Sequence, residues 1–502
     1  MLADVIKTKN SLPYSLYPVA QIKKFEGLAA ESAGITLYDL MKVAGQACYD
    51  VFKSRYPAAS KILVFTGHGN NGGDGYIFAA IAKDAGLEVQ LCQMGNPDNL
   101  DNDAALAKET WQQSAGKIDP IEQANFASVD VIVDALLGTG LAGPVSSEFE
   151  DLIANINQAE KPILSVDIPS GLYADSGAIS NVAVKADATI TFVGLKPGLF
   201  TGAAAAYCGQ IYFSGLGISE QFSALANSTS ARITYQNLQY LLPKRQRDSH
   251  KGDFGRALII GGNVGMPGAV RLAAESALRT GSGLVKVLTR QENQAQVMAG
   301  RPELMLQSYP EQVADEGGLG DWPTTLVIGP GLGQDDWAQG LLDKVINSEL
   351  PCVVDADGLN LLARKMARKD NWVLTPHPGE AANLLNTAID NIEMDRFAAV
   401  QRLQVQFGGI VILKGAGTLI CDGKQTFVAN VGNPGMASGG MGDVLSGIIG
   451  GLLAQGLNPL DAARLAVCLH GQAADLAAQQ NERGLLASDL FPYIRKLVNP
   501  SW

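Results

Sequence analysis

A chain of 502 residues exceeds one ordinary hydrophobic core, which stops growing beyond about 250–300 residues, so two domains are expected. The formal net charge of −12 excludes a surface built to neutralise nucleic-acid phosphates, and 47% hydrophobic with 18% charged residues excludes a disordered chain. Six cysteines stand far apart with no CxxC pair, and the four histidines share no metal spacing with them, which points to reduced core thiols in a cytoplasmic protein. The most apolar stretch, Val444 to Leu453, is glycine-broken and shorter than the roughly 20 residues of a membrane span, and the N-terminus shows no signal-peptide pattern.

Along the first half, short apolar runs ending in Gly, Asp or Pro alternate with segments of helical periodicity, which is the pattern of an α/β fold with a mainly parallel sheet. Strands are expected at 62–65, 89–93, 131–134, 163–167 and 188–192. The run GHGNNGGDG, Gly67 to Gly75, follows the first of these and precedes an apolar segment beginning at Tyr76. Read as a turn before a helix, its glycines let the backbone approach a ligand while the helix amides face an anion. It departs from G-x-G-x-x-G, which disfavours an ordinary dinucleotide dehydrogenase. Asp134, Asp167 and Ser170 mark the ends of later strands. Ligands of open α/β sheets sit beyond such ends, so these residues should converge with Asn70, Asn71 and Asp74 on one crevice.

Residues 223–232 are small and polar, and a basic stretch runs from Lys244 to Lys251, so the boundary is expected near residue 233, giving domains 1–232 and 233–502. The basic stretch reads either as a guide for polyanionic ligands or as a solvated charge run. Strands are expected at 256–260, 284–288, 326–328, 352–355, 372–374 and 410–414. In NPGMASGGMGD, Gly439, Gly440 and Gly442 precede an apolar helix expected to start near Asp443. Their amides would form an anion hole with a carboxylate beside it, suited to a developing phosphate charge and a hydroxyl needing deprotonation; the alternative is that Asp443 is an N-cap. Lys414 and the amides of KGAGT could meet a nucleotide phosphate.

Together GHGNNGGDG, VDALLGTGLAGP and VDIPSG resemble the NAD(P)H-hydrate epimerase family over roughly residues 10–220. The resemblance implies a Rossmann-like doubly wound domain that interconverts the R and S forms of a nicotinamide ring hydrated at C6, with Asp167 as acid/base. It implies K+ held by Asn71, Asp134 and Ser170, oxygen donors that suit a hard cation. Asn70, Asn71, Gly72, Gly73 and Asp74 would contact substrate, and Gly138, Thr139, Gly140, Leu141, Ala142, Gly143 and Pro144 would line the dinucleotide. The family's first motif has Asn where this chain has His68.

The GxGD ending resembles the ribokinase-like α/β fold, and GNVGMPGA, VDADGLN, TPHPGE and KGAGT resemble the ADP-dependent NAD(P)H-hydrate dehydratase family over roughly 235–500. The resemblance implies phosphorylation of the S hydrate's hydroxyl and elimination of phosphate, with ADP as co-substrate, ATP as the other candidate, and Mg2+. The hydrate would touch Ala269, Gly333, His377 and Asp443, and the nucleotide Lys414, Gly415, Ala416, Gly417, Thr418 and Gly442. The expected partners are NADHX, NADPHX and ADP in a homo-oligomer, with neither nucleic acid nor membrane. The rival readings are a vitamin-precursor kinase, and a first half that only senses NAD-like ligands.

Overall fold

The computed structural model describes residues 6–8, 11–308 and 319–500. The chain divides into two compact units, Met1–Ala231 and Arg232–Trp502. In the N-terminal unit the sheet runs Lys7–Thr8, Gln210–Ser214, Ala188–Phe192, Ile163–Val166, Val131–Ala135, Lys61–Thr66, Glu88–Gln93, Ile118–Asp119. All neighbours are parallel except the Lys7–Thr8 edge. The central strands are mainly apolar and, Lys61 apart, buried, as a parallel sheet covered on both faces requires. From Lys61–Thr66 the chain winds outward one way, and from Val131–Ala135 the other. The carboxyl ends of these two strands therefore flank the switch point where ligands of such sheets bind.

The C-terminal unit repeats this logic with different connectivity. Its strands lie in the order Met305–Ser308, Leu284–Thr289, Arg256–Ile260, Thr325–Ile328, Cys352–Val354, Trp372–Leu374, Ile410–Leu413, Thr418–Cys421, Thr426–Ala429. The pairs from Met305–Ser308 to Ile410–Leu413 are parallel; the last two pairs are antiparallel. The switch point lies between Arg256–Ile260 and Thr325–Ile328, where GNVGMPGA and GPGLG emerge.

The apolar Val444–Leu453 run belongs to the buried helix Met441–Ala454. Such a helix, apolar all round, must be covered on every side. Its glycines make this close cover feasible: a Cβ on Gly447 would lie 2.0 Å from the Ala273 carbonyl oxygen of the helix Pro267–Thr280. Among the described residues no helix is long and apolar enough to cross a membrane. The six cysteines are buried free thiols.

Candidate active sites

At the N-terminal switch point lies a cavity of about 640 Å³. The helix Leu37–Arg55, opened by a Thr36–Asp39 capping box, supplies the apolar wall of Leu37, Leu40, Met41 and Ala44. Asn70, Asn71, Asp74, the turn from Gly138 to Ala142, and Asp167 all line the cavity, as does His68. Gly143 and Pro144 are not among its lining residues; the Gly143 carbonyl instead accepts from Tyr173 Oη at 2.8 Å.

The glycine-rich run is not a loop before a helix. The helix Asn70–Asp84 starts at Asn70, with Gly69 as N-cap, so Gly72, Gly73 and Gly75 lie inside it. A Cβ on Gly72 would sit 2.2 Å from the Gly67 carbonyl oxygen, one on Gly73 2.6 Å from the Met41 sulfur, and one on Gly75 2.6 Å from Ala135 Cβ. These glycines act by close packing, which presses the helix onto the sheet. The anion-facing amides are then those of the helix's first turn.

Asp134 and Ser170 lie behind the cavity wall and are fully buried. The Asp134 carboxylate accepts from Ser170 Oγ at 2.5 Å, Ser170 N at 2.9 Å and Ser165 Oγ at 2.8 Å. Burial raises its pKa, against the pull of these bonds. Ser170 Oγ also accepts from the Leu137 amide at 2.9 Å. Asn71 approaches the next residue of that turn, its Oδ1 3.6 Å from where a Gly138 Cβ would stand. Both polar atoms of the Asn71 amide are buried without a hydrogen-bond partner. A buried amide so placed carries a desolvation cost that an oxygen-seeking cation would relieve. An amide oxygen, a carboxylate and a hydroxyl are the ligand types a potassium ion takes.

Asp167 follows Ile163–Val166 in a left-handed conformation, φ 64°, and Ile168 N bonds back to Val166 O, forming a γ-turn. Val193 repeats the device, with φ 62° and Gly194 N on Phe192 O. Two such strained turns fix one ion pair: Lys196 Nζ donates to Asp167 Oδ1, to Thr191 Oγ1 at 2.9 Å and to Phe192 O at 3.1 Å. Lys196 and Glu26 also line the cavity and were missed from sequence. For Lys196 a signal exists, a lone lysine inside the apolar run FVGLKPGLF. Asp74 has its pKa raised well above the carboxylate range, first by burial and then by Asp167 and Glu26, with Lys196 opposing.

In the C-terminal unit, three successive parallel strands end on one network. Asp355 follows Cys352–Val354, Thr375 follows Trp372–Leu374, and Lys414 follows Ile410–Leu413. Asp355 Oδ1 accepts from Thr375 Oγ1 at 2.7 Å and Lys414 Nζ at 2.9 Å, and Oδ2 from Ser446 Oγ at 2.6 Å. Glu380 stands 3.6 Å from Lys414 Nζ. A Cβ on Gly442 would lie only 3.4 Å from that ammonium.

Asp443 is not an N-cap. The helix Met441–Ala454 is capped by Gly440, φ 90°, and Asp443 is its third residue. Burial, and then the neighbouring Asp355, push its carboxyl up to about 7, with Lys414 opposing. His377 fills a structural role, capping Pro378–Leu384: its Nδ1 accepts from Gly379 N at 3.0 Å, while Glu380 accepts from His377 N at 2.8 Å. The His377 ring remains half exposed. Gly333 N donates to Asp357 at 2.9 Å, and Ala269 packs beside Gly331 in the same GPGLG turn. Lys414 to Thr418 forms a tight turn, closed by Thr418 Oγ1 on Gly415 O at 3.0 Å and braced by the buried Arg396 on Lys414 O at 3.0 Å. Asp355, Thr375, Glu380 and Ser446 were not singled out from sequence. Three of them stand in the motifs VDADGLN and TPHPGE, whose carboxylates and hydroxyl were the available signal.

The chain is 48% identical to a bifunctional NAD(P)H-hydrate repair enzyme of Coxiella burnetii over 97% of its own length and 99% of that protein. Against the repair enzyme of Escherichia coli strain K12 identity is 46%, covering 99% of this chain and 97% of the relative. The chain belongs to the bifunctional NAD(P)H-hydrate repair family. Residues 257–496 match the NAD(P)H-hydrate dehydratase family model, and residues 37–198 the model described as YjeF-related protein N-terminus. Among solved structures it is similar to a ribokinase-like superfamily protein of Enterococcus faecalis, with 30% identity, TM-score 0.49, and cover of 55% of this chain and 99% of that one. The ADP/ATP-dependent NAD(P)H-hydrate dehydratase of Bacillus subtilis, co-crystallised with ATP and Mg2+, is 29% identical at TM-score 0.49, over 53% of this chain and 96% of that one. The activity of this family is repair of hydrated NAD(P)H by epimerase and dehydratase steps, not phosphorylation of a vitamin precursor.

Proposed function

We propose that residues 1–232 form the epimerase and residues 233–502 the dehydratase, each working at the switch point of its own sheet. The observation that carries the epimerase assignment is Asp167, a strained carboxylate aimed into a cavity at the end of a central strand. It would serve as acid/base at the hydrated C6, with Asn70, Asn71, Asp74 and the Gly138–Ala142 turn around the dinucleotide. Asn71, Asp134 and Ser170 would hold K+, which supplies fixed positive charge next to the bound substrate.

In the C-terminal unit the hydrate's hydroxyl oxygen attacks the β-phosphorus of ADP, and Asp443 takes the hydroxyl proton as the bond to AMP breaks. Departure of phosphate from C6 with a C5 proton restores the double bond of NADH or NADPH. A carboxyl poised near 7 suits a base working at neutral pH. The turn Lys414–Thr418 and Gly442 would receive the nucleotide, and Ala269, Gly333 and His377 the hydrate. Mg2+ would be held chiefly by the substrate phosphates, where it would supply charge neutralisation, leaving the Asp443 carboxylate free to take the proton. We place the protein in the cytoplasm as a homo-oligomer that binds neither nucleic acid nor membrane.

The test is to incubate the full chain with mixed R and S hydrates and either ADP or ATP, and to follow reduced-nicotinamide absorbance. With ADP, wild type should convert both epimers, whereas Asp167→Asn should stop once the S form is consumed. Complete rapid conversion by Asp167→Asn would overturn the assignment of the N-terminal cavity. A faster rate with ATP would overturn ADP as co-substrate.

A further inference from the structure

Four carboxyl residues line the epimerase cavity, Glu26, Asp74, Asp103 and Asp167, together with Lys196. A lysine has three N–H donors, and all three here are committed, to Asp167, Thr191 and Phe192 O. Lys196 is 1% exposed. Among the described residues neither Asp74 nor Glu26 forms a salt bridge, and both carry pKa values raised first by burial. The other titratable groups facing this space are Lys23 on the Glu26 helix, His68, and Cys48 of the helix Leu37–Arg55. With the Lys196 ammonium committed to Asp167, Thr191 and Phe192 O, Asp74 has no hydrogen-bonded counter-charge, and burial favours its neutral form.

We propose that Asp74 is the general acid of the epimerase, working opposite Asp167, and that Lys196 is the positioning residue that holds Asp167 as the base. This rests on the cavity being the epimerase site. Asp74 gives its proton to the C6 hydroxyl as the C6–O bond breaks, water leaves, and the ring nitrogen's electron pair forms a C6=N1 bond. A water then adds to the opposite face of C6; the C6=N1 electrons return to nitrogen, and the surplus proton passes to Asp167. Nothing is oxidised or reduced, and C5 keeps its hydrogens. Return of the proton from Asp167 to Asp74 through solvent resets the pair. Glu26 lines the same cavity and, with Asp167, adds to the burial that raises the pKa of Asp74, against the pull of Lys196.

The experiment measures R-to-S exchange directly, by chromatographic separation of the epimers, as a function of pH in the full chain. Wild type should lose rate on an alkaline limb as the acid ionises. Asp74→Asn should lose about 10²–10⁴-fold, and its residual rate should lack that limb. Lys196→Met should lower kcat with less than about a threefold change in KM, and Lys196→Arg should recover part of it. Asp74→Glu, which keeps the acid with a longer reach, should retain the limb at reduced rate even if Asp74→Asn folds poorly. An Asp74→Asn rate within about threefold of wild type, or a wild-type profile with no alkaline limb, would overturn the role of Asp74. If Asp167→Asn is also fully active, the reading of the cavity as the epimerase site fails instead.

Discussion

Lys414 Nζ lies 2.9 Å from Asp355 Oδ1, so that one ion pair bridges the ends of two strands across the intervening Trp372–Leu374 strand, whose Thr375 binds the same oxygen at 2.7 Å. The carboxylate is 1% exposed. Its desolvation is offset only while the ammonium and the two hydroxyls remain in place.

Lys414→Met should therefore destabilise the C-terminal unit by about 3–5 kcal/mol in urea denaturation, because it leaves Asp355 charged and unpaired. Burial pushes Asp355 up, but Lys414, Ser446 and Thr375 outweigh it and hold the carboxyl below its usual 3.8. A depressed carboxyl stabilises above its unfolded pKa and loses that contribution as pH falls through the folded one. The gap between wild type and Lys414→Met should thus be full at neutral pH and shrink below about pH 4.

Asp443 has the opposite sign. With its folded carboxyl at about 7 and an ordinary value of 3.8, ionising it in the native state opposes folding, and the penalty grows as pH rises between those values. Asp443→Asn should match wild-type stability under acid conditions and exceed it at alkaline pH, while dehydration of the S hydrate falls about 10²–10⁴-fold. Melting curves at two pH values and a turnover assay on pure S hydrate check both halves. A variant less stable than wild type at alkaline pH would contradict the burial of this charge.

Potassium should raise the melting temperature of the N-terminal unit, by mass action on a site that exists only in the folded state; at a hundred times Kd the gain is about 2.7 kcal/mol. Asn71→Leu removes the unpartnered amide, so it should fold as well as wild type without the ion and lose the potassium response. Sodium at equal ionic strength is the control.

Cutting the chain after Ala231 should give two separately soluble proteins that together complete the repair of mixed epimers. Each unit is compact by itself. Aggregation of both halves when expressed alone would show that neither core is self-sufficient.

The sequence made strand ends legible because a buried parallel strand is a near-continuous apolar run, and the first polar residue after it is conspicuous. Asp134, Asp167 and Lys414 were found in that way. The strands Gln210–Ser214, Thr418–Cys421 and Thr426–Ala429 were not, because each opens on a polar residue and only three apolar residues follow it. Lys196 and Glu26 escaped for a different reason. Their meaning lies in partners 29 residues or more away in sequence, and only the fold brings them to Asp167 and Asp74. The glycines of NNGGDG were seen but misread, since a glycine that faces a ligand and one that admits a neighbouring backbone look alike in one dimension.

That last distinction bears on how the protein folds. Three glycines in the opening turns of Asn70–Asp84 lower its intrinsic helicity by about 2–3 kcal/mol relative to alanine. An isolated segment with that handicap does not nucleate. Close packing, including that of its glycines on Gly67, Met41 and Ala135, stabilises it. The helix that carries Asn71 and Asp74 consequently depends on its tertiary contacts to form. A segment that lacks those neighbours should therefore not present Asn71 and Asp74 in helical register.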